Sequence, residues 1–392
     1  MAHDIRGVAA VAGVGVTEFS DLPGRTEMEV MAEAVHHTLM DAGITKDQVD
    51  GLFVSSMGQR FHGLMAAEYL GVSPNFVDST NIGGSSFVNC VQSAATAIHS
   101  GVCQVALICY GSISRSARKA RRDNPKAPPA VPPDAGTPHE SVFKPRNPVI
   151  SYSLSAARHM HEFSTTRDQL SAVSVAARQW AQKNPRAEMQ DPLTLEDVAN
   201  ARLACDPFTV LDCYLISDAG AAIIMVSTKM ARNLAQKPVY LLGVGSAITH
   251  DQIAQMPDLT TTAAAQSGPR AFDMANVSAG DIDVAEFYDA FTINTILFLE
   301  DLGFCPKGEG GRFVGDGNIA PGGTLPVNTN GGDLSCVHPG MYGIFVTIEA
   351  VEQLRGICGE RQIEGAELAL ANGNGGRLSS QVTAIFGTEA AL

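Results

Sequence analysis

Ser79-Thr80-Asn81-Ile82-Gly83-Gly84-Ser85-Ser86-Phe87-Val88-Asn89-Cys90 leads from a polar turn into a run of small and apolar residues, Val91, Ala94, Ala95, Ala97 and Ile98, that stops at Gly101. Two glycines and two serines make a tight entry, and the apolar positions behind them recur with helical spacing. A strand-like stretch, Val105 to Tyr110, follows. A helix entered in this way aims backbone N–H groups and the positive end of its dipole at whatever lies before Gly84. The stretch therefore reads as a helix within an α/β layer, its start a site for a thioester or an oxyanion.

Outward from it, Val8 to Val16 reads as a buried strand, Thr26 to Ala42 as an amphipathic helix closed by Gly43, and Gly51 to Ser55 as a second strand. A short helix from Gly63 to Leu70 and a strand from Asn75 to Asp78 complete the lead-in. Strands alternating with helices predict a mostly parallel, layered α/β sheet. Gly13-Val-Gly15 lacks the remaining glycine of a dinucleotide fingerprint and is followed by an acidic loop, so no such cofactor site is expected. From Ser112 the texture changes. Arg115, Arg118, Lys119, Arg121, Arg122 and Lys126 run into a proline-rich segment, 125–148, and then into helices around Arg158-His-Met-His-Glu162, 169–183 and 195–202. This reads as an insertion over the sheet. His159 and His161 point to different helix faces and read as solvated. On a helix, Arg115, Arg118, Lys119 and Arg122 share a face, which suits either phosphates or solvent.

Ser217-Asp-Ala-Gly220 turns into the strand Ala221 to Val226, and Val239 to Ala247 opens a second round. Strands at 284–288, 367–371 and 382–386 and helices at 292–302 and 337–354 follow, the last helix ending at Arg355-Gly356. The pattern is a duplicated α/β unit. Residues 1–111 with 217–236 form one half, 112–216 the insertion and 237–392 the other half. Each half sends one helix end toward a shared centre.

The 392 residues carry a net charge of -14, which argues against a nucleic-acid surface. No apolar run reaches the about 18 residues of a membrane span, and the start lacks a charged-then-apolar signal region. A soluble, cytoplasmic protein is expected, without nucleic-acid or membrane partners. Eight cysteines without a Cys-x-x-Cys pair argue against zinc or a disulfide framework, so no metal is expected.

Four loops stand where strands hand over to helices or turns: 81–86, Glu286 to Thr292, Asn328 to Gly343 and Ala371 to Ser379. Their motifs are Asn330-Gly-Gly through His338-Pro-x-x-x-Gly343, Tyr288-Asp-Ala-Phe291 and Gly373-Asn-Gly-Gly376, with Ser217-Asp-Ala-Gly-Ala-Ala222 before them. In these the chain resembles the thiolase superfamily, most closely the branch of sterol-carrier-protein thiolases, where Tyr288-Asp-Ala-Phe stands for His-Asp-Cys-Phe. The resemblance spans the chain. It implies an α/β fold of two similar halves packed as αβαβα layers with an inserted loop domain, and a homodimer.

Two departures shape the implied chemistry. Counted back from Ile98-His-Ser-Gly101, the family's nucleophilic cysteine falls on Gly84, and the cysteine of His-Asp-Cys-Phe falls on Ala290. Glycine cannot be acylated, so a ping-pong transfer through those thiols is not available. The pattern resembles thiolase-fold aldolases that cleave the side chains of steroid acyl-CoAs, in which tyrosines do the acid–base work. That resemblance makes His338, Tyr288 and Tyr342 the catalytic set. It places the thioester or enolate among Gly84, Ser85, Asp289, Gly375 and Gly376, and leaves room at Gly84 for a bulkier β-substituent. Coenzyme A enters as part of the substrate and no other cofactor is implied. Its phosphates would lie over Arg115, Arg118, Lys119 and Arg122, and a small OB-fold and zinc-ribbon protein is a further implied partner. The leading reading is aldol-type cleavage of a β-hydroxyacyl-CoA. The alternatives are acyl transfer through a substitute thiol such as Cys336, and a non-catalytic acyl-CoA-binding subunit.

Overall fold

The computed structural model describes residues 5–57, 59–123, 140, 142–143 and 148–392; Lys126 and most of the proline-rich stretch lie outside them. The first half contains β1 (Ala9–Val16), α1 (Glu27–Ala42), β2 (Gly51–Val54), α2 (His62–Leu70), β3 (Phe76–Asp78), α3 (Ser86–His99) and β4 (Val105–Ile113). The insertion holds α4 (Ser114–Asp123), α5 (Val149–Phe163), α6 (Arg167–Ala181), α7 (Leu195–Asn200) and the short hairpin β5 (Leu203–Cys205) and β6 (Phe208–Thr209). β7 (Asp218–Ser227) and α8 (Thr228–Ala231) rejoin the first half. The second half runs through β8 (Val239–Ile248), α9 (Ala264–Ala275), β9 (Val284–Phe287), α10 (Thr292–Asp301), α11 (Gly310–Gly315), a π-helical turn at Gly332–Cys336, α12 (Gly343–Arg355), β10 (Leu368–Gly375) and β11 (Ser380–Gly387).

The strands form one sheet in the order β3-β2-β4-β7-β1-β8-β11-β10-β9. It is mixed rather than mostly parallel. β2 runs parallel to β3 and β4, and β9 parallel to β10, but β7 and β11 return antiparallel to β4 and β10. Helix–strand alternation is blind to this return, because β11 follows β10 through a tight turn and β7 follows the insertion. The doubling is visible in the pairing. β1, β2, β4 and β7 occupy in one half the places of β8, β9, β10 and β11 in the other, and Ala285 bridges Val327 where β2 pairs with β3. The halves join where Ala10 and Val11 face Tyr240 and Val239.

α1 covers β1, β4 and β7 from outside, and α9 covers β8 and β11. α3 and α12 pack on each other between strands of both halves, giving the five-layered arrangement. α1 begins where Thr26 and Glu29 form a capping box and ends at Gly43 in the left-handed conformation. Gly13 and Gly15 serve this outer contact: a Cβ on either would lie 2.6–2.7 Å from atoms of α1, among them Ala42 Cβ, Thr38 O and Thr38 N. They let the helix sit on the strand. The insertion packs on the second half through α6, α10 and α11, and His159 joins it there. Contrary to the solvated reading, His159 is fully buried, with Nε2 3.0 Å from Glu300 and Nδ1 2.8 Å from Thr165 Oγ1. Among the described residues no helix is long and apolar enough to cross a membrane.

Candidate active site

All four loops open onto one cavity of about 1190 Å³. Gly83 and Gly84 come from the entry to α3, Tyr288, Ala290 and Phe291 from the end of β9, His338 and Gly340 from the loop before α12, and Asn374, Gly375 and Gly376 from the end of β10. Tyr110 of β4, Arg118 and Arg121 of α4, and Tyr152 and Tyr214 of the insertion complete the walls. Strand ends from both halves thus converge on one hollow, as α/β ligand sites do.

The turn into α3 is tied down by its own serines. Ser86 Oγ accepts from Ile82 N–H at 2.9 Å and donates to the Gly83 carbonyl at 2.6 Å, and Ser85 Oγ lies 2.8 Å from Ser380 Oγ. Gly83 has φ +74°, a conformation that favours glycine. At Gly84 the constraint is space. A Cβ there would lie 2.6 Å from Tyr288 Cζ and 2.5 Å from the Asn374 carbonyl oxygen, closer than real Cβ contacts come. The Tyr288 ring fills the place a side chain at 84 would take, so the room expected there for a β-substituent does not exist.

Tyr288 is almost wholly buried, and its hydroxyl lies 2.9 Å from His338 Nε2 and 3.1 Å from the Gly340 carbonyl. The phenol, with its single proton, faces both His338 Nε2 and the Gly340 carbonyl. The backbone of Leu215 also acts on the His338 ring, in the sense that favours its protonated form. Position 338 is held by two backbone bonds to Ser217, through its hydroxyl at 3.1 Å and its N–H at 3.0 Å. His338 is five residues ahead of α12 rather than at a helix start, so a helix dipole does not keep it neutral. Burial does, pushing its pKa down to about 3 against the opposing pull of the Leu215 backbone. Burial likewise raises the Tyr288 phenol well above its usual range, helped by the Asp333 charge. At neutral pH the pair is a phenol hydrogen-bonded to a neutral imidazole.

This has a measurable consequence for stability. Since the folded pKa lies below the unfolded one, the unfolded chain takes up the extra proton as pH falls from about 6.5 toward 3, and stability drops through that window. Denaturant titrations at pH 7 and 4.5 are expected to show a smaller acid loss in His338→Asn than in the parent protein.

The other expected residues divide. Gly84, Gly375 and Gly376 line the cavity. Ser85 lies just behind it on Ser380. Tyr342 does not reach it: the side chain is fully buried and its hydroxyl exchanges hydrogen bonds of 2.8 and 3.0 Å with Asn330, with its ring edge-on to Tyr288. Cys336 is buried in the π-helical turn, away from the cavity walls, 3.5 Å from Asn184 Nδ2, and burial pushes its thiol up. A substitute nucleophile there is not supported. Asp289 is also behind the wall, accepting from the Asp333 N–H at 2.7 Å, with its carboxyl pushed up to about 7 by burial. It shapes the loop and does not touch the cavity.

The basic segment is indeed a helix, but its residues do not share one task. Arg115 is engaged by Glu188 and the Ile216 carbonyl, Lys119 by Asp21, and Arg122 sits exposed beside Asp123. Arg118 and Arg121 face the cavity. Arg121 was part of the run but not of the expected phosphate seat, because carboxylates as remote as Asp21 and Glu188 decide which cations are occupied. Tyr110, Tyr152, Tyr214 and Arg377 on the walls carried no motif signal.

A family model, thiolase C-terminal domain-like, matches residues 245–388. An acetyl-CoA acetyltransferase of Methanothermobacter thermautotrophicus is 35% identical over 96% of this chain and 98% of its own length. The chain belongs to the thiolase superfamily. Another relative, a steroid side-chain-cleaving aldolase of Thermomonospora curvata, is 34% identical over 89% of this chain and 91% of its own. A solved Ltp2-ChsH2(DUF35) aldolase superposes with a TM-score of 0.88 at 30% identity, covering 98% of this chain and 99% of that one. This thiolase-superfamily enzyme therefore carries a glycine at 84 at the mouth of its central helix, with a tyrosine ring packed onto it.

Proposed function

We propose that the protein breaks a carbon–carbon bond beside an acyl-CoA thioester by a retro-aldol step, with no acyl-enzyme. One observation carries this: the Tyr288 ring stands in the space a nucleophile at 84 would need, with its hydroxyl 2.9 Å from a neutral His338. For a β-hydroxyacyl-CoA in the cavity, the β-hydroxyl proton passes to the Tyr288 oxygen as the phenol proton moves to His338 Nε2. The Cα–Cβ bond breaks, its electron pair going into the thioester enolate while Cβ–O becomes a carbonyl. The enolate charge makes the imidazolium beside it favourable. N–H groups at the Gly84 and Gly375 turns are the reading for the enolate oxygen. No step needs an oxidant or a thiol.

The two aldolase relatives support this reading, and the Ltp2-ChsH2(DUF35) complex supports a second protein at work with the chain. Arg118 and Arg121 suit the phosphates of coenzyme A at the cavity mouth. Incubation with β-hydroxyacyl-CoA thioesters, alone and with a small zinc-ribbon partner, tests it: a carbonyl compound and a shortened acyl-CoA are expected. Absence of both products in both conditions rejects it.

A homodimer completes the proposal. β3 is a sheet edge, and beside it Phe61 and Leu64 are 76% and 69% exposed, with Tyr69, Met65 and Val77 nearby. An open edge flanked by apolar side chains suits the same face of a second copy. Leu64→Asp is expected to shift the protein to a monomer in sedimentation.

A further inference from the structure

Retro-aldol cleavage ends with a proton delivered to the α-carbon, and the Tyr288–His338 pair has by then taken one up. Four tyrosines line the cavity: Tyr110, Tyr152, Tyr214 and Tyr288. Three have committed hydroxyls. Tyr110 donates to the Pro339 carbonyl at 2.9 Å, Tyr152 donates to Gly376 O at 3.0 Å and accepts from Asn374 Nδ2 at 2.8 Å, and Tyr288 is bound to His338. The Tyr214 hydroxyl has no hydrogen-bond partner among the described residues.

Its ring is nevertheless fixed. The Tyr214 N–H donates to the Ala290 carbonyl at 2.8 Å, Leu215 N–H to Asp333 O at 2.9 Å and Ser217 N–H to His338 O at 3.0 Å. The segment is thus laced to both catalytic loops. The Tyr214 ring lies 4.3 Å from the His338 ring, centre to centre, and edge-on to Phe291 at 5.5 Å. Such pinning sets a side chain's reach as a functional group requires. Arg118, on the same wall, acts on Tyr214 electrostatically in the sense that favours its phenolate, against the larger effect of burial.

We infer that Tyr214 is the second proton-transfer residue of the cavity, giving its hydroxyl proton to the α-carbon of the enolate. The inference rests on the retro-aldol reading above. The C–H bond forms from the enolate electron pair, the enolate returns to a thioester, and Tyr214 is left as a phenolate beside Arg118. The imidazolium at His338 then loses its proton to solvent and the phenolate regains one, so the cycle closes with no net proton change.

The reverse of this step is enolisation, which needs no carbonyl co-substrate. Propanoyl-CoA held with the enzyme in D₂O is expected to gain deuterium at the α-carbon, read by mass spectrometry of the recovered thioester. Tyr214→Phe keeps the ring against His338 and is expected to melt like the parent protein while exchange falls at least tenfold. Substitution of Tyr214 by 3-fluorotyrosine, a more acidic phenol, is expected to move the pH profile of exchange to lower pH. If the parent cleaves β-hydroxyacyl-CoA and exchanges, and Tyr214→Phe exchanges at the same rate, the role of Tyr214 is overturned and the retro-aldol reading stands. If the parent neither cleaves nor exchanges, both fall.

Discussion

A cysteine at position 84 is expected to lower carbon–carbon cleavage at least a hundredfold and to remain unacylated by acetyl-CoA. The reason is steric. Its Cβ would meet Tyr288 Cζ at 2.6 Å and the Asn374 carbonyl oxygen at 2.5 Å. Asn374 belongs to β10, which is paired with β11 through Gly375 and with β9 through Asn372, so that oxygen has little freedom to retreat. Tyr288 must yield instead, and with it the 2.9 Å bond to His338. Overpacking a filled site costs about 1–3 kcal/mol, so Gly84→Cys is expected to melt lower than the parent. Adding Tyr288→Ala removes one of the two clashes and is expected to recover part of that loss, a coupling that independent sites would not show. Intact-protein mass after acetyl-CoA and melting curves of Gly84→Cys, Tyr288→Ala and the double variant read both effects. A Gly84→Cys protein that melts like the parent and still cleaves would refute the packing on which the mechanism stands.

Tyr288→Phe keeps the ring over Gly84 and removes only the hydroxyl. The β-hydroxyl then loses its proton acceptor, and kcat is expected to fall about 10²- to 10⁴-fold, the range of a lost general acid–base group. KM should change little, since the ring still shapes the cavity. Stability should drop by about 1–3 kcal/mol, the cost of leaving the buried His338 Nε2 without a partner. Steady-state kinetics beside a denaturant titration separate the two. A KM rise with kcat unchanged would make Tyr288 a binding group and remove it from the proton relay.

Much of this site was legible in the sequence. Glycine and asparagine in three of the four loops, with Tyr288-Asp-Ala-Phe291 in the other, told of a shared hollow, because those residues serve tight turns and close backbone approach. Three features were not legible. The direction of β7 and β11 leaves no trace in apolar spacing. Tyr342 enters the expected catalytic set through the resemblance alone, whereas the chain at 337–342 is irregular, the helix begins at Gly343, and the phenol turns inward to Asn330. Tyr214 sits in a stretch without periodicity, and backbone pairing of its segment with Ala290, Asp333 and His338 brings it to the site. The glycine at 84 could be read from the chain; the ring from the other half of the fold that packs on it could not.

The central claim is that carbon–carbon cleavage here proceeds without a thiol and therefore without free coenzyme A. The direct measurement is the rate of carbonyl product formation from a β-hydroxyacyl-CoA as free coenzyme A is removed enzymatically from the assay. An undiminished rate, with one shortened acyl-CoA formed per carbonyl released, is the predicted result. A rate that vanishes with coenzyme A and returns when it is restored would contradict the account.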